Sequence, residues 1–550
     1  MPTDLERAAF NDRPVPGEMF TRNPTAKMQE EEWAAHEEFN ANQGRVVDHD
    51  VVVARKRIDC NSHGWNDPNG HLYYLEKEGD PDTRPGPKEP LFFRAQHGQI
   101  LNLTLANRLP PVIERTAYDV RFPPCPALPW EGECSMHVHM VKFDPVCADG
   151  GSVGWNYISA PRLGRRMVYR WWADQEFGTI FFHDHLFANY RQKHGLFGAL
   201  IVEPIGAKFF DNFSNRRIVS GLQARIRLRA GSPEPSWFRE FCIAIGDFIP
   251  MFDRFGLPLN PPDHPGGHGD QGTMGLNYRS EPLRERPGDP AYWFSSLHHP
   301  DPATTLFATF EADPVRLRLV QGSHEEQHSF QVHGLRWRRF SANQVSTLRN
   351  QQATGIAEAF TFIIADRFGP GDYLYKLSGA DDIWLGCWGL IRSFPRTMAA
   401  RLEAPCLLVE DEERPAADPS ESYAEVLASA AATKRACPPG APVRCFHVIA
   451  ERRRLTYRDP ELVDPFGLIY RLVSITDPDG TEQPVTNPEV PEPLVLRCRE
   501  GEWVEVTVEN RLPPHAPAGA VRSRGASGGV QRQVIESVRR HPDLRGVALA

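Results

Sequence analysis

No window of this chain is long and apolar enough to read as a membrane-spanning helix. Its first residues, MPTDLERAAFNDRPVPGEMF, carry neither a basic stretch nor an apolar core, so no secretory signal is read there and a cytoplasmic location is the expectation. Basic clusters are scarce as well. The 62 Lys and Arg stand against 71 Asp and Glu, a net charge of −9, and no Lys/Arg run suits a nucleic-acid surface. The ten cysteines contain no CxxC pair, which excludes a zinc ribbon and a thioredoxin-type site. Cys125 and Cys134 are candidates for pairing in an oxidising compartment, and most of the cysteines read as reduced structural thiols. Regular alternation of strand and helix patterns is missing too, and with it the metal-dependent barrel hydrolases.

Turn chemistry is abundant: 50 prolines and 43 glycines punctuate a chain that is 41% hydrophobic, enough to build several cores. The chain also repeats itself. EPLFFRAQHGQILNLTLANRLPP from Glu89 returns as EPLVLRCREGEWVEVTVENRLPP from Glu492 without a gap. Each copy ends in period-two alternation, Leu101/Leu103/Leu105 and Val504/Val506/Val508, which marks a half-buried strand. DPNGHLYYL at Asp67 is echoed by DPFGLIYRL at Asp464. A second, fainter repeat sets FQVHGLRW 194 residues beyond MHVHMVKF, and GDYLYKLS 193 residues beyond GTIFFHDH. Short strands at such spacing predict an all-β fold of tandem Greek-key β-sandwiches.

Two strands of the first sandwich each carry an HxH pair: His137 and His139 in MHVHMVKFD, His183 and His185 in FFHDHLFANY. Residues i and i+2 of a strand share a face, roughly 6–7 Å apart, which suits two imidazoles on one metal or on two adjacent metals. Four imidazoles make a nitrogen-only site fit for copper, zinc, iron or nickel. His194, His328 and His333 are weaker candidates. Asp184, between two of the histidines, is expected to face away from them and to do supporting work.

CSMHVHMVKFD followed by GTIFFHDHLFANYRQKHGLFGALIVEP resembles the first cupredoxin domain of multicopper oxidases, and HSFQVHG from His328 is similar to the HPxHxHG motif of that family's last domain. The resemblance spans roughly residues 50–400 and the restarted repeat. It implies cupredoxin-like sandwiches and a trinuclear cluster of type-2 and type-3 copper shared between a first and a last domain. His137 would be a type-2 ligand, and His139, His183 and His185 type-3 ligands. It further implies dioxygen as oxidant and a small-molecule or metal-ion electron donor. Members of the family are often exported, which sits against the cytoplasmic expectation.

The family pattern then breaks. At the offsets of the four histidines stand Gln331, His333, Lys376 and Ser378, with Leu377 where a blue-copper cysteine belongs. Cys387 reads as a buried structural thiol, and His328 and His333 as satisfied sandwich or interface histidines. The expected divisions are an arm (1–49), a first cupredoxin-like domain (50–205), a degenerate second (206–400), a linker (401–440), the start of a third (441–514) and an atypical basic tail (515–550). The arm is expected to hold a polar helix or flexible segment over 24–43, and the linker a short helix around Ser420–Thr433. The change of character after Pro514 predicts a chain ended or shifted in reading frame relative to a longer oxidase; a natural basic tail is the alternative. Half of a trinuclear site is thus expected here. The expectation is an oxidase that needs a further domain or a second chain, a homo-oligomer included; the alternatives are a non-catalytic copper-binding protein and a structural sandwich array. No nucleic-acid or membrane partner is expected.

Overall fold

The computed structural model describes residues 46–112, 132–143, 148–151, 160–232, 235–259, 272–322, 326–339, 345–399, 440–458, 462–488 and 491–512. The expected helices of the arm and the linker, Cys125, and the basic tail lie outside the described residues. The chain divides into two compact units, Met1–Ala430 and Ala431–Ala550.

The first unit opens with strands β1 (Val46–Arg55), β2 (His71–Leu75), β3 (Leu91–Gln96), β4 (Ile100–Arg108), β5 (His137–Val138), β6 (Lys142–Phe143), β7 (Arg166–Trp172), β8 (Gly178–His183) and β9 (Phe197–Glu203). They form two sheets, ordered β2-β1-β4-β7-β6 and β3-β9-β8-β5. The first strand therefore begins at Val46, ahead of the boundary expected at residue 50. β1 runs parallel to β4 and β9 parallel to β3, the crossed connections of a Greek key.

Alternation along β8 explains its place. Ile180 and Phe182 enter the core between these two sheets, while Phe181 faces a second core shared with the rest of the unit. Phe182, fully buried, is ringed by Tyr73, Phe93 and Trp171 at centroid distances of 5.5, 5.6 and 5.9 Å. Burial of such a ring contributes roughly 2–3 kcal/mol, and it holds the strand end where His183 emerges.

A second pair of sheets follows in the same unit. Strands β10 (Lys208–Phe210), β11 (Gln223–Arg227), β12 (Trp237–Ile249), β13 (Thr273–Leu276), β14 (Phe307–Phe310), β15 (Val315–Gln321), β16 (His328–Val332), β17 (Gln351–Thr354), β18 (Ala359–Ile363), β19 (Gly371–Leu377) and β20 (Trp388–Phe394) supply them. Their orders are β10-β11-β12-β15-β18, with β13 on β12, and β14-β20-β19-β16-β17.

Charge also crosses between the two pairs of sheets. Arg94 on β3 donates to Glu240 on β12 at 2.7 Å, and Arg318 on β15 donates to the other Glu240 oxygen at 2.8 Å. Arg318 reaches on to Glu203 on β9, which also takes Arg316 at 3.2 Å. Arg94, Glu203, Glu240 and Arg318 are all buried. Burial pushes the Glu240 carboxyl toward its neutral form, but the two guanidiniums outweigh it and its pKa ends below the usual value.

The second unit repeats the start of the first. β21 (Val443–Arg452) pairs antiparallel with β24 (Leu468–Thr476) and parallel with β26 (Trp503–Asn510), as β1 does with β2 and β4. The hairpin β22 (Leu455–Arg458) and β23 (Leu462–Asp464) precedes β24, and β25 (Glu482–Gln483) follows it. The repeat fails in one place. Residues 494–499, the copy of β3, form no strand. β3 is held by β9, and among the described residues the second unit has no strand that corresponds to β9. Leu468 and Tyr470 are accordingly exposed, whereas their counterparts His71 and Tyr73 are buried.

Candidate metal centre

His137 and His183 face each other across the β5–β8 pair. The two HxH pairs do not lie on regular strand, as their alternation predicts. β5 holds only His137–Val138 and β8 ends at His183, so His139 and His185 sit just past strand ends. Met140 follows with a φ of +68°, turning the chain away at once. The four rings nevertheless gather, with centroids 5.3 Å apart for His137–His139, 5.6 Å for His137–His183, 4.7 Å for His137–His185 and 5.3 Å for His183–His185. Ligand atoms of His137, His139 and His183 all lie within 4.8 Å of one another. His183 is buried, His137 and His139 half-buried, and His185 exposed, so the cluster opens to the surface on one side.

Backbone carbonyls orient two of the rings. Nδ1 of His137 lies 2.7 Å from the Asp149 carbonyl and Nδ1 of His183 lies 2.8 Å from the Asp184 carbonyl. A proton on each Nδ1 donates there and leaves Nε2 as the free lone pair, the arrangement that fixes a ligating imidazole. The loop that brings Asp149 in needs Gly150: its φ is +69°, and a Cβ there would stand 2.6 Å from the Met136 carbonyl oxygen. Phe181 stacks on His183 at 5.0 Å. Burial, followed by the neighbouring imidazoles, lowers the pKa of His139 to about 4 and of His183 to about 3. Burial lowers His137 as well, against the pull of Asp149. These three rings are neutral near pH 7, the form that binds metal.

Asp184 ties the two HxH segments together from the side away from the rings. Its Oδ1 accepts from the Ser135 amide at 2.8 Å, the Ser135 hydroxyl at 3.3 Å and the Arg191 guanidinium at 3.1 Å. Its Oδ2 accepts from the Phe187 amide at 2.9 Å. The Ser135 hydroxyl oxygen in turn accepts from the His185 amide at 3.0 Å. Asp184 and Arg191 are fully buried. Ser135, Asp149 and Arg191 carry no signal in the sequence beyond their nearness to the histidines.

The other candidates fall elsewhere. His194 is buried with Nδ1 2.7 Å from Asp67 Oδ2, and its ring lies 5.7 Å from that of His71. His328 sits between Asp247 (3.3 Å) and Asp382 (3.4 Å). Burial alone would lower its pKa, but the two carboxylates raise it to about 9, which favours the imidazolium. His333 departs from the expectation of a satisfied histidine: it is buried and neither ring nitrogen has a hydrogen-bond partner. Cys387 is a buried thiol that burial, then Asp382 and Asp247, push well above its usual pKa. Cys134 is buried and free.

The raised pKa of His328 has a measurable consequence. Its stabilisation is fully present below the unfolded value near 6.5 and is lost as pH rises through about 9. The loss is on the order of 3 kcal/mol. Denaturant unfolding at pH 6.5 and 9.5 should show the wild type losing more stability than a His328→Gln variant over that window; parallel losses would refute the assignment.

Four imidazoles, two of them oriented by backbone carbonyls, fit a copper ion, and the same donors suit zinc. Of the comparisons with known proteins, the family match bears on this choice. Residues 130–206, which carry all four histidines, match the model of the multicopper oxidase family. No curated protein matches the chain. Among solved structures, a multicopper oxidase shares 16% identity, with a TM-score of 0.40, over 64% of this chain and 90% of its own. A copper nitrite reductase from Nitrosomonas europaea shares 13%, with a TM-score of 0.39, over 63% of this chain and 94% of its own. A blue copper oxidase from the same organism shares 14%, with a TM-score of 0.38, over 70% and 94%. The segment that bears the four histidines is thus similar to the multicopper oxidase family, whose cofactor is copper.

Proposed function

We propose that this protein is a copper-binding oxidoreductase of the multicopper oxidase type, with His137, His139, His183 and His185 as copper ligands. The observation that carries the reading is the gathering of four imidazoles at the ends of β5 and β8 inside the segment that matches the family. Copper at this position would supply one-electron redox chemistry and a binding site for dioxygen. The protein's own groups hold the ligands: the Asp149 and Asp184 carbonyls keep the Nδ1 protons, and Phe181 shields His183 from water. Over a full cycle four one-electron oxidations of a donor deliver four electrons, which with four protons reduce one dioxygen to two waters. The four histidines amount to half of such a site. The surface-facing side of the cluster is where a further domain or a second chain would add the remaining ligands.

A specific observation favours a second reading, a copper-binding chain that does not turn over alone. Lys376 takes the register position of His183 in the second sandwich, where it faces Gln331. Among the described residues no other cluster of metal-ligating groups accompanies the histidines.

Copper per chain decides the ligand assignment. Protein purified with excess copper should hold at least about one copper ion per chain, and a variant with all four histidines changed to alanine should hold none. Equal copper in both would refute the assignment. Oxygen uptake with phenolic and metal-ion donors then separates the two readings: uptake by the copper-loaded chain alone supports the oxidase, and none supports the non-catalytic protein.

A further inference from the structure

The second sandwich keeps the frame of the histidine cluster and changes its chemistry. Gln331 on β16 faces Lys376 on β19 just as His137 faces His183. The His333 amide donates to the Leu374 carbonyl at 2.8 Å, as the His139 amide donates to the Phe181 carbonyl at 3.0 Å. Four side chains therefore stand in the frame of the four histidines: an amide, an imidazole, an ammonium and a hydroxyl.

These groups do not satisfy one another. His333 is only 4% exposed, and both its ring nitrogens lack a partner. Gln331 is buried, Lys376 and Ser378 half-buried. The Ser378 hydroxyl donates to the Gln331 carbonyl oxygen at 3.4 Å, which leaves the Gln331 amide N–H groups free to donate. No hydrogen-bond or ion-pair partner of Lys376 Nζ is present among the described residues. Asp382, whose charge acts on Lys376, already accepts from the Gly379 amide and lies against His328. The Lys376 charge also acts on His333 and, after burial, helps lower its pKa to about 4.

A half-buried ammonium beside a buried imidazole with two empty valences is an expensive arrangement without a counter-charge. A cation would be repelled by Lys376. A small anion with several acceptor oxygens would engage the ammonium, the Gln331 amide and a His333 N–H together, as charge-assisted hydrogen bonds.

We propose that Gln331, His333, Lys376 and Ser378 form a binding site for a small oxyanion, a carboxylate or phosphate group, in the frame that holds the metal-type cluster in the first sandwich. The site is separate from the copper ligands and needs none of them.

Titration calorimetry of the full chain with inorganic phosphate and with acetate, at constant ionic strength in chloride, tests it. Saturable binding is expected for both oxyanions. Lys376→Met should weaken it at least tenfold, and the variant without the four first-sandwich histidines should bind as the wild type does. Ser378→Asp places a carboxylate against Lys376 and should abolish binding even if Lys376→Met folds poorly. No saturable binding by the wild type, or wild-type affinity in both Lys376→Met and Ser378→Asp, would overturn the proposal.

Discussion

Changing Asp184 to alanine is expected to cost about 3–5 kcal/mol of stability and to lower copper affinity by roughly 10- to 100-fold. Two separate effects add. The Arg191 guanidinium, fully buried, loses its carboxylate, and a buried charge without its partner is far costlier than the pair is valuable. Within that loss, the buried Ser135 amide and the half-buried Phe187 amide give up the carboxylate that accepts from them. The copper effect follows from geometry. Ser135 lies two residues before His137 and its hydroxyl holds the His185 amide, so release of Ser135 loosens both HxH segments. Asp184→Asn keeps an acceptor for Ser135 and should retain copper better than Asp184→Ala while still losing stability. The measurements are the denaturant midpoint and a competitive copper titration. A change under about 1 kcal/mol with unchanged copper affinity would show that Asp184 is a bystander.

Glu240 is the second position of large effect. Glu240→Ala leaves the buried Arg94 guanidinium without its carboxylate and Arg318 with Glu203 alone, an expected loss of about 3–5 kcal/mol. A double-mutant cycle with Arg94→Met isolates the pair: once Arg94 is gone, removal of Glu240 should cost less, giving a coupling energy of about 1–3 kcal/mol. Additive losses in that cycle would mean that the cluster stabilises through packing alone.

The histidine cluster was legible in the sequence because two HxH pairs lay at fixed distances from apolar strands. The offset between repeats likewise carried Gln331 and Lys376 to the places of His137 and His183, and the strand register puts them there. What spacing could not convey was the end of each strand, since alternation continues on paper through His139 and His185 after the ladder has stopped. Arg94, Glu203, Glu240 and Arg318 were invisible for a different reason. Charges inside strands read as a solvated face, and only packing between the two pairs of sheets turns that face inward. The second unit shows the converse. Residues 494–499 repeat the sequence of β3 closely, yet a strand exists only when a neighbour bonds to it, and the neighbour of β3 is supplied by a distant segment of chain.

The parallel pairings bear on the order of events when the chain folds. β3 waits for β9, and β5 waits for β8, so the sheet that carries the histidines closes only after most of that sandwich has been synthesised and brought together. Non-local pairing of this kind is slow, because long loops must be closed before the contacts reward them. His137 and His183 meet at the end of that process rather than its beginning. On the proposed ligand assignment, copper capture would read out completion: the lag before uptake during refolding would time the closure of β8 against β5.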